Sequence, residues 1–394
     1  MELTREWAER EAAADPLATF AKEFLIPEGT LALNGNSLGP PAAGVPVALE
    51  NAVRRQWGGH LIRGWWDDGW WDAPERVGDR IGRLIGAGPG QVVVGESTSV
   101  QLFNAVTAAA RLVPEHRVLV ADAGNFPTDR YLAASVARLL DLHLVETPMD
   151  DLPGVLDRHA GQVGAVLCGA VDFRTGELWD VAGLTAAIQR AGGVAVWDLS
   201  HAAGAVPLRV DDDAVDLAVG CGYKYLSGGP GAPAFLYAAR RHQGDLDLPV
   251  TGWHGHADPF AMTDPFVPAA GITRARTGTP QILSMLALEA ALEPLEAAGV
   301  AAVRDKSVRL AEYLFALVAD LDGVEVVTPR APGRRGNHVT LRLPDAVAVA
   351  EALLRRGVVV DERPPDLLRI CLNGLYVSWT DVFDAVAHLR EVLR

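Results

Sequence analysis

Between about residues 90 and 240 the chain alternates short, almost uninterrupted apolar runs with longer segments rich in Ala, Leu and Arg. That rhythm marks parallel strands, which cannot be joined by tight hairpins and need a helical crossover between them. The apolar runs lie at 92–95, 118–122, 142–146, 165–170, 194–198, 217–220 and 234–237. They lack in-and-out alternation, which predicts strands buried on both faces. Segments 100–112, 130–140 and 182–191 have helical periodicity and supply the covering layers. The expected fold class is α/β, with a mainly parallel seven-stranded sheet in a large domain. Beyond residue 280 the pattern changes to a long helical stretch over 280–319, apolar runs at 324–327, 338–343 and 358–361, and a turn at 332–336. This reads as a smaller α+β domain. The expected division is a large domain over 46–280, and an N-terminal segment (1–45) grouped with a small C-terminal domain (281–394).

Composition narrows what such a chain can do. Fifty Asp and Glu against 35 Lys and Arg give a net charge of -15, which repels a phosphate backbone and argues against nucleic acid as a partner. Cys168, Cys221 and Cys371 are widely spaced with no CxxC pair, which suits a reducing compartment and predicts neither disulfide nor zinc. The N-terminal residues mix both charge signs at helical spacing and lack a secretion signal's apolar region. No uncharged apolar run approaches the roughly 20 residues that span a bilayer. A cytoplasmic protein without a membrane partner is expected.

The sharpest local signal is GCGYKYLSGGPG (220–231), where Lys224 follows an apolar strand and precedes a glycine-rich loop. An amine crowded against an apolar strand end is costly to desolvate unless paired, which lowers its pKa and suits imine chemistry. A surface lysine at a strand end fits the same residues. Asp198 ends the run 194–198, 26 residues before Lys224, so both can reach the carboxyl edge of the sheet, where open α/β folds bind ligands. An Asp there could hold a pyridine nitrogen protonated, or merely cap the next helix. Thr98 and Ser99 open a helix after the run 92–95, and hydroxyls with free N–H groups at a helix start can cup a phosphate, or form an ordinary cap. In NFPTDRY, Phe126 can stack on a planar ring or cover core, with Thr128 and Asp129 as polar contacts. Phosphate cup, stacking aromatic, Asp and Lys in this order share no single bland explanation. Together they point to pyridoxal 5'-phosphate (PLP).

GNSLG (35–39), STS (97–99), FPTD (126–129), DLSHAAGAV (198–206), YKYL (223–226), GWHGH (252–256) and RTGTPQIL (276–283) resemble kynureninase across the whole chain. The resemblance, to the bacterial type, implies the PLP-dependent transferase-like fold (fold type I, aspartate aminotransferase-like). It also implies a homodimer with shared active sites and hydrolysis of L-kynurenine to anthranilate and L-alanine, within the kynurenine pathway of tryptophan catabolism or NAD biosynthesis. It assigns Lys224 as the residue that links to the cofactor, Asp198 as the partner of its pyridine nitrogen, Phe126 as the stacking ring and Tyr223 as a proton donor. Thr98, Ser99, Thr128, Asp129, His201, Tyr223, Trp253 and Thr279 are implied to line the cofactor, and Arg369 to hold the substrate α-carboxylate.

Trp65, Gly278 and Thr279 are implied in the aromatic-ring pocket, with a preference for kynurenine over its ring-hydroxylated form. An extra buried hydroxyl there would lack a good partner, at a cost of about 1–3 kcal/mol. The chain departs from the family pattern at Gly169, where relatives carry a hydroxyl, at Asp172-Phe173, where they carry Asn-Tyr, and at 371–374 after Arg369. His254 and His256 stand one residue apart with no third ligand nearby, so no metal is expected. The alternatives are another fold type I lyase, such as a cysteine desulfurase, which needs a reactive cysteine on a mobile loop, or an inactive PLP-fold sensor or assembly subunit.

Overall fold

The computed structural model describes residues 2–394. A seven-stranded sheet forms from β1 (Val92–Val94), β2 (Val118–Asp122), β3 (His143–Thr147), β4 (Val163–Gly169), β5 (Val194–Asp198), β6 (Leu217–Gly220) and β7 (Phe235–Ala238). Its order is β1-β7-β6-β5-β4-β2-β3, and β7 alone runs antiparallel to its neighbours. Alternate residues of each strand enter different cores. Val120, Val166, Ala195, Trp197 and Ala218 join one buried cluster, whereas Leu119, Leu167, Val194, Val196 and Leu217 join the other. Apolar side chains on both faces explain why these strands read as continuous hydrophobic runs. The edge strand β3 departs from that expectation: His143 and Glu146 are exposed, because a strand at the border needs no second cover.

Helices α1 (Thr98–Leu112), α2 (Pro127–Leu140) and α3 (Val181–Arg190) follow β1, β2 and β4. Trp197 of β5 is fully buried, and its indole N–H donates to Thr185 Oγ1 of α3 at 2.9 Å, so its one polar atom is satisfied where water is excluded.

The helical stretch expected over 280–319 is three helices, Ile282–Ala291, Glu293–Ala298 and α4 (Val300–Leu317). Pro294 is tolerated only in the first turn of the second helix, and Gly299, at φ 79°, ends it in a conformation other residues disfavour. The smaller sheet holds β8 (Glu325–Val326), β9 (His338–Arg342), β10 (Asp361–Arg363) and β11 (Leu367–Cys371), antiparallel in the order β10-β11-β9-β8. The run expected at 358–361 is divided. Val358–Val359 pairs instead, in parallel, with Leu31–Ala32 near the N-terminus. Helices α5 (Ala346–Leu354) and α6 (Trp379–Val392) complete this part, α6 opening on a Ser378–Asp381 capping box.

Residues 34–39 then cross to the large sheet. Cys371 N–H donates to Leu33 O at 2.8 Å, and Gly39 N–H to Tyr223 O at 2.9 Å. A Cβ on Gly39 would lie 2.3 Å from both Lys224 O and Ser227 Oγ, so only glycine permits this approach. Gly39→Ala is expected to lower stability by about 1–3 kcal/mol, the usual cost of overpacking, read as a lower denaturant midpoint. It should also push the Tyr223–Lys224 backbone away from the N-terminal loop and reduce activity.

Candidate active site

The carboxyl ends of β5 and β6 place the two central residues. These strands pair in parallel with Asp198 opposite Val219, so Asp198 leaves β5 level with the end of β6, and Lys224 follows four residues beyond Gly220. Both line a cavity of about 290 Å3, with Tyr223 and His201 beside them. Lys224 Nζ lies 3.1 Å from His201 Nε2. Burial, reinforced by the Lys224 charge, lowers the His201 pKa well below its ordinary value, so the imidazole is neutral and can accept from the ammonium. His201 Nδ1 is buried without a hydrogen-bond partner. Asp198 Oδ1 accepts from Ser200 N at 2.8 Å, and the carboxyl groups of Asp198 and Asp129 also meet.

The start of α1 and the loop after β2 form the opposite wall. Ser97 caps α1 by accepting from Val100 N, so Thr98 and Ser99 sit in the first turn and line the cavity with their hydroxyls. The cap is therefore one residue upstream of the Thr98-Ser99 pair. Phe126, Thr128 and Asp129 line the same cavity. Phe126 is 42% exposed and meets Phe173 edge-on at 5.2 Å between ring centres. Asp129 is buried and accepts from Asn125 Nδ2 at 2.9 Å. Burial raises its pKa well above the carboxylate range, and the charge of Asp198 raises it further. Of this pair Asp129 is the more deeply buried, so it is the one that keeps its proton. Burial also pushes the Tyr223 phenol well above its ordinary value, keeping it protonated at neutral pH.

Other candidates lie elsewhere. Arg369 is fully buried behind the cavity, donating to Phe173 O, to Ser37 Oγ at 2.8 Å and to Asp361. Trp65, Trp253, Gly278 and Thr279 are not among the residues lining this chain's cavity. Trp65 packs edge-on against Trp70 and Trp71, and Trp71 meets Trp253 at 5.6 Å and Phe260 at 5.4 Å. Thr279 and Gly278 are exposed. The rings of His254 and His256 are engaged separately, His254 by Arg276 at 3.2 Å and His256 by the backbone of Asp258 at 2.9 Å.

Sequence reasoning did not single out Ser37, Asn125, Val171 and Arg363, all of which line the cavity, and it marked Phe173, which also lines it, only as a departure from the family pattern. The GNSLG motif (35–39) flagged the neighbourhood of Ser37. Nothing flagged Arg363, whose strand pairs with β11 only in three dimensions. Gly169, where a hydroxyl was anticipated, has Asn125 Oδ1 3.0 Å from the position of a Cβ, so the asparagine takes up that space.

The donor set matches the needs of PLP part by part: helix-start hydroxyls for a phosphate, an aromatic face for the ring, a carboxylate for the pyridine N–H, an amine for the aldehyde, and a buried unpartnered imidazole nitrogen. Fold and site together define a PLP-dependent enzyme of fold type I. Solved structures of that fold superpose over nearly the whole chain. The cysteine desulfurase CsdA from Escherichia coli has a TM-score of 0.82 at 17% identity, covering 96% of this chain and 98% of that one. The cystine C–S lyase C-DES has a TM-score of 0.82 at 15% identity, covering 92% and 98%. At these identities the likeness is one of fold. Residues 303–389 match the model of the kynureninase C-terminal domain. The chain is 43% identical over 390 residues to kynureninase of Deinococcus radiodurans, covering 97% of this chain and 94% of that protein. It is 39% identical over 401 residues to kynureninase of Burkholderia pseudomallei strain 1106a, covering 99% and 95%. The chain belongs to the kynureninase family.

Because the Asp129 pKa is raised on folding, the folded protein holds a proton there that the unfolded chain has lost above about pH 4. Stability therefore falls as pH rises from that point through the raised folded pKa. Asp129→Asn is expected to stabilise the cofactor-free protein at pH 7, with the gain disappearing below about pH 4. Urea denaturation at the two pH values checks this, and an equal effect at both would contradict the assigned proton.

Proposed function

We propose that this protein hydrolyses L-kynurenine to anthranilate and L-alanine with PLP as cofactor. The grouping of Lys224, Asp198 and His201 at one sheet edge carries the reading, in a chain 43% identical to a kynureninase along its full length. When bound, PLP supplies an electron sink for charge developing on the substrate's α-carbon. Lys224 would hold the cofactor through its aldehyde, and its amine would take and return the substrate's α-proton. Asp198 would offer a carboxylate oxygen to the pyridine N–H, beside an Asp129 that burial keeps protonated. Thr98 and Ser99 would hold the phosphate, Phe126 and His201 would flank the ring, and Thr128 would add a polar contact. Tyr223, kept protonated by burial, would return a proton after water has added to the γ-carbonyl and the Cβ–Cγ bond has broken. Arg369 would contribute positive charge for the α-carboxylate from behind the cavity wall.

A desulfurase reading is disfavoured by the cysteines. Cys168, Cys221 and Cys371 are all buried, and burial pushes the Cys371 thiol up to about 12. None can serve as a mobile nucleophile, which needs exposure and a low pKa. An inactive scaffold is disfavoured by the retained Lys224 and Asp198.

A homodimer with shared active sites is part of the proposal. Segments 53–66 and 253–262, linked through the Trp65–Trp71–Trp253 contacts, expose Val53, Trp57, Leu61, Ile62, Trp66, Phe260 and Met262. Exposed apolar surface on this scale suits burial against a second copy. Trp65, Trp253, Gly278 and Thr279 would then complete the partner's cavity. The division into 46–280, and 1–45 with 281–394, has the support of the Leu31–Ala32 pairing with Val358–Val359. Among the described residues no helix is long and apolar enough to cross a membrane. A cytoplasmic location, and a role in tryptophan catabolism or NAD biosynthesis, complete the proposal.

The purified protein should release anthranilate from L-kynurenine, with kcat/KM at least about 10-fold above that for the ring-hydroxylated substrate. Lys224→Ala should abolish turnover while still binding PLP without covalent linkage, so multiple turnover by this variant would refute the assignment. Mixed dimers of a Lys224→Ala subunit and a Thr279→Ala subunit should recover partial activity through one intact hybrid site. Verified heterodimers without recovery would refute the shared site.

A further inference from the structure

Two buried imidazoles stand next to the candidate cofactor lysine. Lys224 Nζ meets His201 Nε2 at 3.1 Å, and the ring of His338 lies 5.5 Å from that of His201 between centres, tilted by 54°. His338 opens β9 of the smaller sheet and is 0% exposed. Neither of its ring nitrogens has a hydrogen-bond partner, and neither has Nδ1 of His201. Unpaired nitrogens on two adjacent buried rings are costly in a dry interior, and the reaction outlined above uses none of them.

The large domain makes the space for His338. Gly176, at φ 75°, has the position of its missing Cβ only 2.6 Å from His338 O and 3.3 Å from His338 Nε2, so no larger residue would let this turn approach the ring. Gly336 N–H donates to Gly176 O at 2.7 Å, and Thr340 Oγ1 donates to Arg174 O at 2.5 Å. The turn at 172–176 is thereby fastened to β9 on both sides of His338.

Charge then decides where the ring protons sit. Burial, reinforced by the charges of Lys224, Arg369 and Arg363, lowers the pKa of both imidazoles well below the ordinary value, so each ring is neutral and has one N–H and one lone pair. Because Lys224 donates to Nε2 of His201, the proton of that ring is on Nδ1. The three cations that act on both rings are donors only, which leaves the lone pair of His338 to accept it. His338 has no hydrogen bond to give up, and the broad second torsion of histidine lets its ring turn to present that nitrogen. Resting on the reading that Lys224 holds the cofactor, we propose that His338 is a positioning residue that accepts the Nδ1–H of His201 and so keeps Nε2 bare to receive the Lys224 amine. A strand of the smaller sheet thus sets the hydrogen bonding of the lysine on the larger one.

The test reads the ring nitrogens of His201 by nitrogen NMR in the full-length protein freed of PLP, with its signals identified by their loss in His201→Gln. Wild type should show a protonated Nδ1 and a bare Nε2. His338→Leu removes the acceptor and leaves the Lys224 amine as the lone pair at hand, so the proton should move to Nε2. His338→Gln, whose side-chain oxygen accepts, should keep it on Nδ1. On the PLP-loaded enzyme with L-kynurenine, His338→Leu should lower kcat by about 10-fold with KM changed less than about 3-fold, and His338→Gln should recover most of that loss. A wild-type proton on Nε2 would overturn the inference, and that measurement stands even if the leucine variant does not fold. So would a proton that stays on Nδ1 in His338→Leu, or equal losses in the two variants, which a ring that merely fills space would give. The NMR comparison needs neither cofactor nor substrate: if wild type releases no anthranilate, the functional reading fails while the ring proton still decides the role of His338.

Discussion

Parallel pairing of β5 with β6 fixes the geometry on which the site depends. In a parallel ladder the strand ends advance together, so a side chain that terminates one strand is held level with the terminus of its neighbour. Asp198 and the loop that carries Lys224 are therefore set by backbone hydrogen bonds, before any side-chain contact forms. The other contributors attach to this frame by the same logic. The start of α1 and the loop after β2 rise from the same edge of the sheet, and the N-terminal loop reaches it through the Gly39 contact. Rigid strands aim each group, while the loops between them stay free to carry polar residues.

What the amino-acid order reveals follows from the range of each interaction. The runs of the five central strands and of the buried edge strand β1 were legible because burial on both faces writes a continuous apolar stretch, whatever the distant partners are. Lys224, Asp198, Thr98, Ser99 and Phe126 were legible because each ends such a run or follows it within a few residues. The break at Pro294 and Gly299 was missed because helical composition persists across it, and two residues alone interrupt the path. Arg363 was missed for a different reason. It lies in a charged segment next to two prolines, and its significance comes from β10 pairing with β11 and from Asp361, neither of which leaves a periodic trace. Arg369 was found by motif, but its burial and its three partners belong to tertiary structure.

The smaller part of the molecule is unusual in how much charge it hides. Arg304, Arg335 and Arg369 are all buried, and each finds backbone carbonyls as acceptors: Gly336, Pro332 and Arg335 for Arg304, Arg330 for Arg335, and Phe173 for Arg369. Burial lowers the pKa of Arg304 to about 10. Carbonyl oxygens satisfy N–H donors without adding a second charge to desolvate, and Arg335 and Arg369 add one carboxylate each, Glu312 and Asp361. The same contacts hold the turn at 332–336 and the strand β9 against α4.

The pairing of Leu31–Ala32 with Val358–Val359 spans 327 positions of sequence, 358 minus 31. At a ribosome adding about 5–20 residues per second, the first strand waits roughly 15–65 s for its partner to be made. During that interval the sheet of the large domain can form from its own contiguous residues, but the loop bearing Ser37 and Gly39 has only half of its anchorage. The part of the cavity wall around Ser37 and Arg363 is thus closed last, and a nascent polypeptide stalled before residue 358 would carry an assembled Lys224 edge faced by α1 and the loop after β2 but open on the Ser37 side.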